Sequence, residues 1–327
     1  MNGRIALAVG IDYYDELNEL SHCVDDAQAV KKLLDYHGTG SHEKNFSCEI
    51  IEGTKSSTVT RRRLKEAVER LFKNPMEIAL FYYSGHGYVE SGQGFLMTTE
   101  CKNGDEGFAL ADLMRYANES PARHRIIIID SCYSGCAGSF PSMGDSGFVS
   151  SGVTVLTACR SNEVSYEGES YGVFTALLID ALQGGAASLT GDITPGAIYA
   201  HIDQSLGEWE QRPMFKTCTE TFVSLRRVEP PISNSDLRKI ADFFPSSECV
   251  FKLDPSYEPQ DEGRTSDMPR SNPEHTKVFA VLQKLNRLNL VVPVGAPHMW
   301  HAAMESKGCR LTKLGQHYRR LVVNELI

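Results

Sequence analysis

Apolar residues in this chain fall into short, uninterrupted runs separated by amphipathic stretches. Four consecutive isoleucines, Ile126 to Ile129, between Arg125 and Asp130 predict a strand buried on both faces, because β-branched side chains fit the pleat and nothing polar interrupts them. Glu77 to Gly87 repeats the design, an apolar run through Tyr83 that stops in Ser84-Gly85-His86-Gly87. Each predicted strand ends in small residues around one reactive side chain, Cys132 in the first and His86 in the second. Ligands of open α/β sheets bind outside the carboxyl ends of the strands, so these two ends are the candidate site.

The remaining elements follow from the same periodicities. Arg4 to Tyr13 reads as a first strand, followed by an amphipathic helix over Asp25 to His37 with Ala27, Val30, Leu33 and Leu34 on one face and Gly38 at its end. Phe46 to Ile51 is a weakly alternating strand, and Ser57 or Thr58 caps a helix running to about Phe72. After the His86 strand come a short strand over Phe95 to Thr98 and a helix from Leu110 to Asn118. Beyond the Cys132 strand, Ser134 to Gly152 is rich in Gly and Ser, and Val153 to Thr157 is another buried strand. Helices over Gly172 to Gln183 and Pro195 to Leu206, the latter capped by Thr194, precede a last strand over Phe215 to Leu225. Strands alternating with helices predict an α/β fold, a mostly parallel sheet covered on both faces.

Past this body the pattern changes. Residues 229–275 are rich in Pro, Ser and acidic residues and read as a linker. Residues 276–327 predict a helix over Thr276 to Leu290, a strand over Val291 to Val294 and an amphipathic helix over Leu311 to Leu326 opened by Thr312. This order of helix, short strand, Gly-containing turn and basic helix resembles a small winged-helix module. About 50 residues are marginal as an independent core, so the tail is expected to dock on the body or on a partner.

Charge sharpens this division. The formal net charge is −9, yet residues 1–228 hold 30 acidic and 20 Lys/Arg residues, whereas residues 276–327 hold 2 and 8. Lys307, Arg310, Lys313, Arg319 and Arg320 suit either phosphates or an acidic protein surface, and protein contact is favoured over nucleic acid. Arg61-Arg62-Arg63 at a helix start opposes the helix dipole and reads as a solvated face. Met1 to Ile11 is too short and too soon followed by Asp12 for a signal peptide, and no apolar run approaches the roughly 20 residues that span a bilayer. Nine cysteines without CxxC spacing point to reduced thiols and a cytoplasmic location.

A thiol and an imidazole on neighbouring strand ends are the arrangement for covalent catalysis, since a nearby His⁺ lowers the thiol pKa and the thiolate attacks. His86 would then protonate the leaving amine, and the amides of Gly87 and Cys132 would bind the oxyanion. Alone, a buried Cys is more often inert packing and a strand-end His a satisfied core residue; the pair together carries the reading.

At these residues the sequence resembles the caspase family, and its metacaspase and bacterial caspase-like branch more than animal caspases. Tyr82-Tyr83-Ser84-Gly85-His86-Gly87 and Asp130-Ser131-Cys132-Tyr133-Ser134-Gly135 look like that branch's His and Cys boxes. Further matches are Gly10-Ile11-Asp12-Tyr13-Tyr14, Leu20 through Cys23 to Asp25-Asp26-Ala27, Leu156-Thr157-Ala158-Cys159, Gly172-Val173-Phe174-Thr175 and Gln211-Arg212-Pro213, in order over residues 1 to about 228. The resemblance implies a His86–Cys132 dyad. It also implies a pocket lined by Asp26, Ser84 and Asp130, with cleavage after Arg or Lys. Glu167 falls where animal caspases carry a substrate-binding Arg. Other readings stay open, with Asp26 as a helix N-terminal charge and Asp130 as a strand-end cap.

Two departures limit the carry-over. Metacaspases often hold calcium with carboxylates, including one seven residues after the Cys; that position is Ser139 here, and Asp105, Glu106 and Asp112 read as solvated loop charge, so no metal site or other cofactor is expected. No Lys or Arg lies between Ile126 and Cys159, where many relatives are cut, so activation is expected from a partner, a ligand or cleavage elsewhere, for example around Arg264 or Arg270. Cys136 reads as packing rather than a redox lock on Cys132. The resemblance further implies a protease of bacterial-type cell death or defence acting on protein substrates such as a pore-forming or other effector, with a sensor or activator protein at the tail and no membrane association. Rival classes are a catalytically silent scaffold and a DNA-binding regulator acting through the tail.

Overall fold

The computed structural model of the chain describes residues 3–38, 43–102, 106–131, 149–158, 173–207, 212–260 and 262–327. It divides into two compact units, Met1–Glu229 and Pro230–Ile327.

In the first unit the order is β1 (Arg4–Ile11), α1 (Cys23–Asp35), β2 (Ser47–Gly53), α2 (Arg61–Lys73), β3 (Ile78–Ser84), β4 (Gly87–Glu90), β5 (Gln93–Leu96), β6 (Phe108–Ala109), α3 (Leu110–Glu119) and β7 (His124–Asp130). There follow β8 (Val153–Thr157), α4 (Val173–Asp180), β9 (Asp192–Ile193), α5 (Pro195–Ser205), β10 (Met214–Cys218) and β11 (Arg226–Arg227). Six strands form one sheet in the order β10-β8-β7-β3-β1-β2, parallel except for the β10–β8 pair. The α/β class and the mostly parallel sheet are those the periodicity predicts.

The apolar runs are continuous because each serves two cores. Side chains alternate across a strand. Leu7, Val9 and Ile11, Ala79, Phe81 and Tyr83, and Ile127 and Ile129 face α2 and α3. Ala6 and Ala8, Ile78, Leu80 and Tyr82, and Ile126 and Ile128 face α1, α4 and α5. Every residue of β3 and β7 is buried.

The chain runs from β1 outward to β2, then returns to the other side of β1 with β3 before moving on to β7 and β8. Strand order therefore reverses between β1 and β3, the switch point where such sheets leave a crevice. Gly10 lets α1 close on this crevice: a Cβ there would lie 2.2 Å from the Cys23 carbonyl oxygen. Gly10→Ala is expected to destabilise the unit by about 1–3 kcal/mol through backbone displacement, read as a lower midpoint in urea with an unchanged slope.

Several boundaries differ from expectation. Thr60, not Ser57 or Thr58, caps α2, its hydroxyl accepting the Arg63 amide at 3.1 Å. The last sheet strand ends at Cys218 rather than Leu225. β4 and β5 form a hairpin that the sequence reading passed over, turned by Ser91 and Gly92, both at positive φ.

The second unit contains α6 (Asn234–Phe243), β12 (Val250–Lys252), α7 (Pro273–Arg287), β13 (Val291–Val294), α8 (Met299–Met304), β14 (Gly308–Leu311) and α9 (Lys313–Val323). Residues 229–275, expected as a linker, thus include a helix and a strand of this unit. β12 pairs with β14 in the sheet β12-β14-β13, and Leu237, Ile240 and Phe244 are fully buried with Phe279, Leu282 and Leu285. The spacing of Leu237, Ile240 and Phe244 is helical, but ten residues amid Pro, Ser and acid are too few for the period to stand out. α7 also begins earlier than expected, at Pro273, with Asn272 as its cap. Among the described residues no helix is long and apolar enough to cross a membrane.

Candidate active site

The register sets the carboxyl ends of β1, β3 and β7 level. Gly10 pairs with Ser84, and Ser84 with Asp130. Position 86 and position 132 each follow by two residues a paired end of neighbouring strands. Cys132 itself lies outside the described residues, as do Glu167, Cys136, Ser139 and Asp105.

His86 is held from several sides. Its Nε2 lies 2.8 Å from the Asn18 carbonyl oxygen. A carbonyl only accepts, so Nε2 carries the proton and a neutral ring presents Nδ1 as its basic nitrogen. The His86 amide donates to the Tyr14 hydroxyl at 2.8 Å, and the Tyr83 hydroxyl lies 2.8 Å from the His86 carbonyl and 2.7 Å from that of Met97. The Tyr14 ring packs against the imidazole with centroids 4.7 Å apart. Gly85 makes this possible, because a Cβ there would meet both tyrosine hydroxyls at 2.7 Å. Gly87 opens β4 opposite Leu96. Tyr14→Phe is expected to leave the His86 amide without its partner and to lower kcat about tenfold with little change in KM, measured on a chromogenic peptide.

Beneath the strand ends, on the α1 and α4 side, lies a buried polar cluster. Period-2 alternation places Ser84 on the face of Tyr82, and Asp130 on the face of Ile128. The Ser84 hydroxyl donates to Asp26 Oδ2 at 3.0 Å, and the Thr175 hydroxyl donates to Asp130 Oδ2 at 2.7 Å. With the Thr175 proton so directed, the Tyr82 hydroxyl donates to Thr175 at 2.6 Å. Asp26, Ser84 and Asp130 are each no more than 2% exposed. The three residues expected to line one pocket therefore converge.

Asp26 stands in the first turn of α1, where its charge also suits the helix N-terminus, and Asp12 Oδ1 accepts the amides of Cys23 and Val24 at 2.7 and 3.3 Å. Burial raises the Asp12 carboxyl, against those two hydrogen bonds. Burial pushes the Cys23 thiol up to about 12; the Ser84 hydrogen bond opposes this, and the charges of Asp12, Asp26 and Asp130 add to it. Cys23 thus stays protonated and inert despite its place beside the cluster. Asp12, Tyr14, Asn18, Tyr83 and Thr175 received no role in the sequence reading. All but Asn18 stand inside the motifs quoted for the resemblance, which were the available signal.

Glu106 accepts the Lys102 amide at 2.7 Å and Asp112 pairs with Arg115 at 3.1 Å. Among the described residues no group of three or more His, Cys, Asp or Glu side chains is placed to hold a metal ion.

Burial lowers the pKa of His86, opposed by the Asn18 hydrogen bond, and burial likewise lowers His37 and His124. The unfolded chain then takes up these protons at a higher pH than the folded chain. Their contribution to stability is complete above about pH 6.5 and declines as pH falls through the lower folded values. Asp12, shifted upward, contributes in the opposite sense, but from the carboxylate range. The thermal midpoint is expected to fall between pH 7.5 and pH 5.5 in calorimetry, and kcat/KM to fall over the same window as Nδ1 is protonated.

Residues 3–223 match the family described as Caspase domain. Metacaspase-1 of Lodderomyces elongisporus is 30% identical over 169 residues, covering 43% of this chain and 35% of the relative. Metacaspase-1 of Plasmodium falciparum is 26% identical over 193 residues, 51% of this chain and 31% of the relative. The chain thus spans about a third of the length of the curated relatives it matches. The crystal structure of Caspase-1 from Spodoptera frugiperda aligns with a TM-score of 0.49 at 12% identity, over 70% of this chain and 91% of that one. With more than half of its length matched by the domain, this chain belongs to the caspase and metacaspase-like family.

Proposed function

We propose that this protein is a cysteine endopeptidase in which His86 and Cys132 form the dyad, the Gly87 and Cys132 amides bind the oxyanion, and cleavage follows Arg or Lys. The observation that carries the specificity is the convergence of two buried carboxylates, Asp26 and Asp130, with Ser84 at the strand ends beside His86. A guanidinium or ammonium entering between them gains charge-assisted hydrogen bonds, whereas an Asp side chain meets like charge. Glu167 is assigned to the same substrate-binding surface by the resemblance alone.

In the proposed reaction the Cys132 thiolate attacks the carbonyl carbon after Arg or Lys, and His86 gives a proton to the leaving amine. Water then hydrolyses the thioester, releasing the acid and restoring the thiol. No metal or cofactor enters this scheme.

The lack of Lys or Arg between Ile126 and Cys159 supports activation by a partner or upstream signal rather than self-cutting there. The acidic body and basic tail support the second unit, read as winged-helix-like, as the contact for an activator or sensor protein in the cytoplasm. A role in bacterial-type cell death or defence, with a pore-forming or other effector as substrate, completes the reading. Purified protein is to be assayed on fluorogenic peptides ending in Arg, Lys or Asp, with and without calcium. Turnover confined to Arg and Lys peptides, and lost in Cys132→Ala, is expected; turnover of Asp peptides, or a fully active Cys132→Ala protein, would sink it.

A further inference from the structure

We propose that Thr175, aimed by Tyr82, is a specificity-determining residue: it fixes the plane of the Asp130 carboxylate and so sets a preference for Arg over Lys at the acidic pocket. The inference rests on the reading above that the chain cleaves after basic residues. It adds which of the two the pocket prefers and which side chains decide it.

Ile78, Leu80 and Tyr82 of β3 point into the same apolar core, and of the three only Tyr82 ends in a polar atom. Tyr82 and Thr175 are both 0% exposed. A hydroxyl moved from water into such a core is costly unless it is bonded, and here two hydroxyls are spent in series on one carboxylate. The direction of the chain is fixed by chemistry. An ionised carboxylate only accepts, so the Thr175 proton goes to Asp130 Oδ2 at 2.7 Å, and the Thr175 oxygen is left to accept from the Tyr82 hydroxyl at 2.6 Å. Burial, with the charges of Asp26 and Asp130 adding to it, holds the Tyr82 phenol well above its ordinary range, so this end of the chain stays a donor.

The two pocket carboxylates are therefore held differently. Asp26 takes its bond at 3.0 Å from Ser84, itself one of the three converging residues. Asp130 takes its bond from α4, a separate element, while its backbone is set by pairing with Ser84 across β3 and β7. The carboxylate of an Asp turns easily about its last torsion, and a short bond from a β-branched, fully buried donor stops that rotation. Rotation matters unequally to the two basic side chains. A guanidinium is planar and meets a carboxylate through two parallel N–H···O bonds, so it needs the plane of its partner held; an ammonium is a compact point charge with three rotatable donors, and it does not. Each carboxylate oxygen has two lone pairs, so Oδ2 can accept from Thr175 and still face a guanidinium.

The test is kcat/KM of the full chain on two fluorogenic peptides that differ only in Arg or Lys before the scissile bond, with calorimetry as a folding control. Wild-type protein is expected to prefer the Arg peptide. Thr175→Val should lower the Arg-to-Lys ratio about tenfold, and Thr175→Ser, which keeps the hydroxyl, should restore it. Tyr82→Phe, which removes the donor behind Thr175, should lower the ratio about threefold. In an Asp130→Asn background Thr175→Val should shift the ratio no further, because its effect runs through that carboxylate. A merely structural role would lower both peptides together and leave the ratio where it was. Folded Thr175→Val or Tyr82→Phe protein with the wild-type ratio, an equal shift in the Asp130→Asn background, or a wild type indifferent between Arg and Lys overturns the proposal and leaves the basic specificity standing. If Thr175→Val does not fold, Tyr82→Phe decides by the same ratio. A wild type that cleaves neither basic peptide overturns the reading above, and this inference with it.

Discussion

His86→Ala is expected to lower kcat/KM on an Arg peptide by about 10²–10⁴-fold while the protein stays folded. The ring is half-buried at the rim of the sheet, so its removal deletes the base and the proton donor without opening either core. In the wild type Nε2 donates to the Asn18 carbonyl oxygen at 2.8 Å, so in the proposed dyad Nδ1 is the nitrogen that exchanges a proton with the thiol. Because the thiol and imidazole act as a unit, His86→Ala combined with Cys132→Ala is expected to be no slower than Cys132→Ala alone. Steady-state kinetics with calorimetry as a folding control would check this. An alanine variant retaining near wild-type turnover would remove His86 from the chemistry.

Removing one pocket charge should have the next largest effect. Asp26→Asn retains an oxygen for the Ser84 hydroxyl and Asp130→Asn one for Thr175, so each substitution deletes charge with little change of shape. A charge-assisted hydrogen bond is worth about 1.5–3 kcal/mol, so each variant should lose roughly 10–100-fold in kcat/KM on Arg peptides. A peptide with a neutral residue at that position should change far less. Parallel assays on Arg, Gln and Asp peptides separate these outcomes, and an unaltered Arg preference in both variants would refute the acidic pocket. The double variant should fall short of the sum, because both carboxylates would face one guanidinium.

Much of the first unit is legible from residues alone, for a local reason. Runs such as Ile126–Ile129 and Ile78–Tyr83 read as strands of a sheet covered on both sides, because they are short, rich in β-branched and aromatic side chains, and end at small residues. The abrupt ends of those runs mark the candidate site, and their spacing from His86 and Cys132 puts both at equivalent sequence positions before any coordinate is known. The three candidate pocket residues, from three separate elements, also follow from motifs. What motifs could not say is how they are held.

That part belongs to the tertiary structure. Asp12 caps a helix eleven residues away, Tyr14 reaches the amide of His86, and Thr175 reaches Asp130 from α4. These bonds join residues far apart in sequence, and periodicity carries no record of them. The same limit explains residues 229–275: a ten-residue helix and a three-residue strand have too little pattern to rise above a Pro-, Ser- and acid-rich composition, and only pairing with β14 and burial of Leu237, Ile240 and Phe244 make them structure. The sequence by itself determined the strand ends and the kind of chemistry placed on them, because strand formation is written in neighbouring side chains. Which hydroxyl, amide and carboxylate meet there was decided only by packing, because long-range contacts depend on how the elements stack.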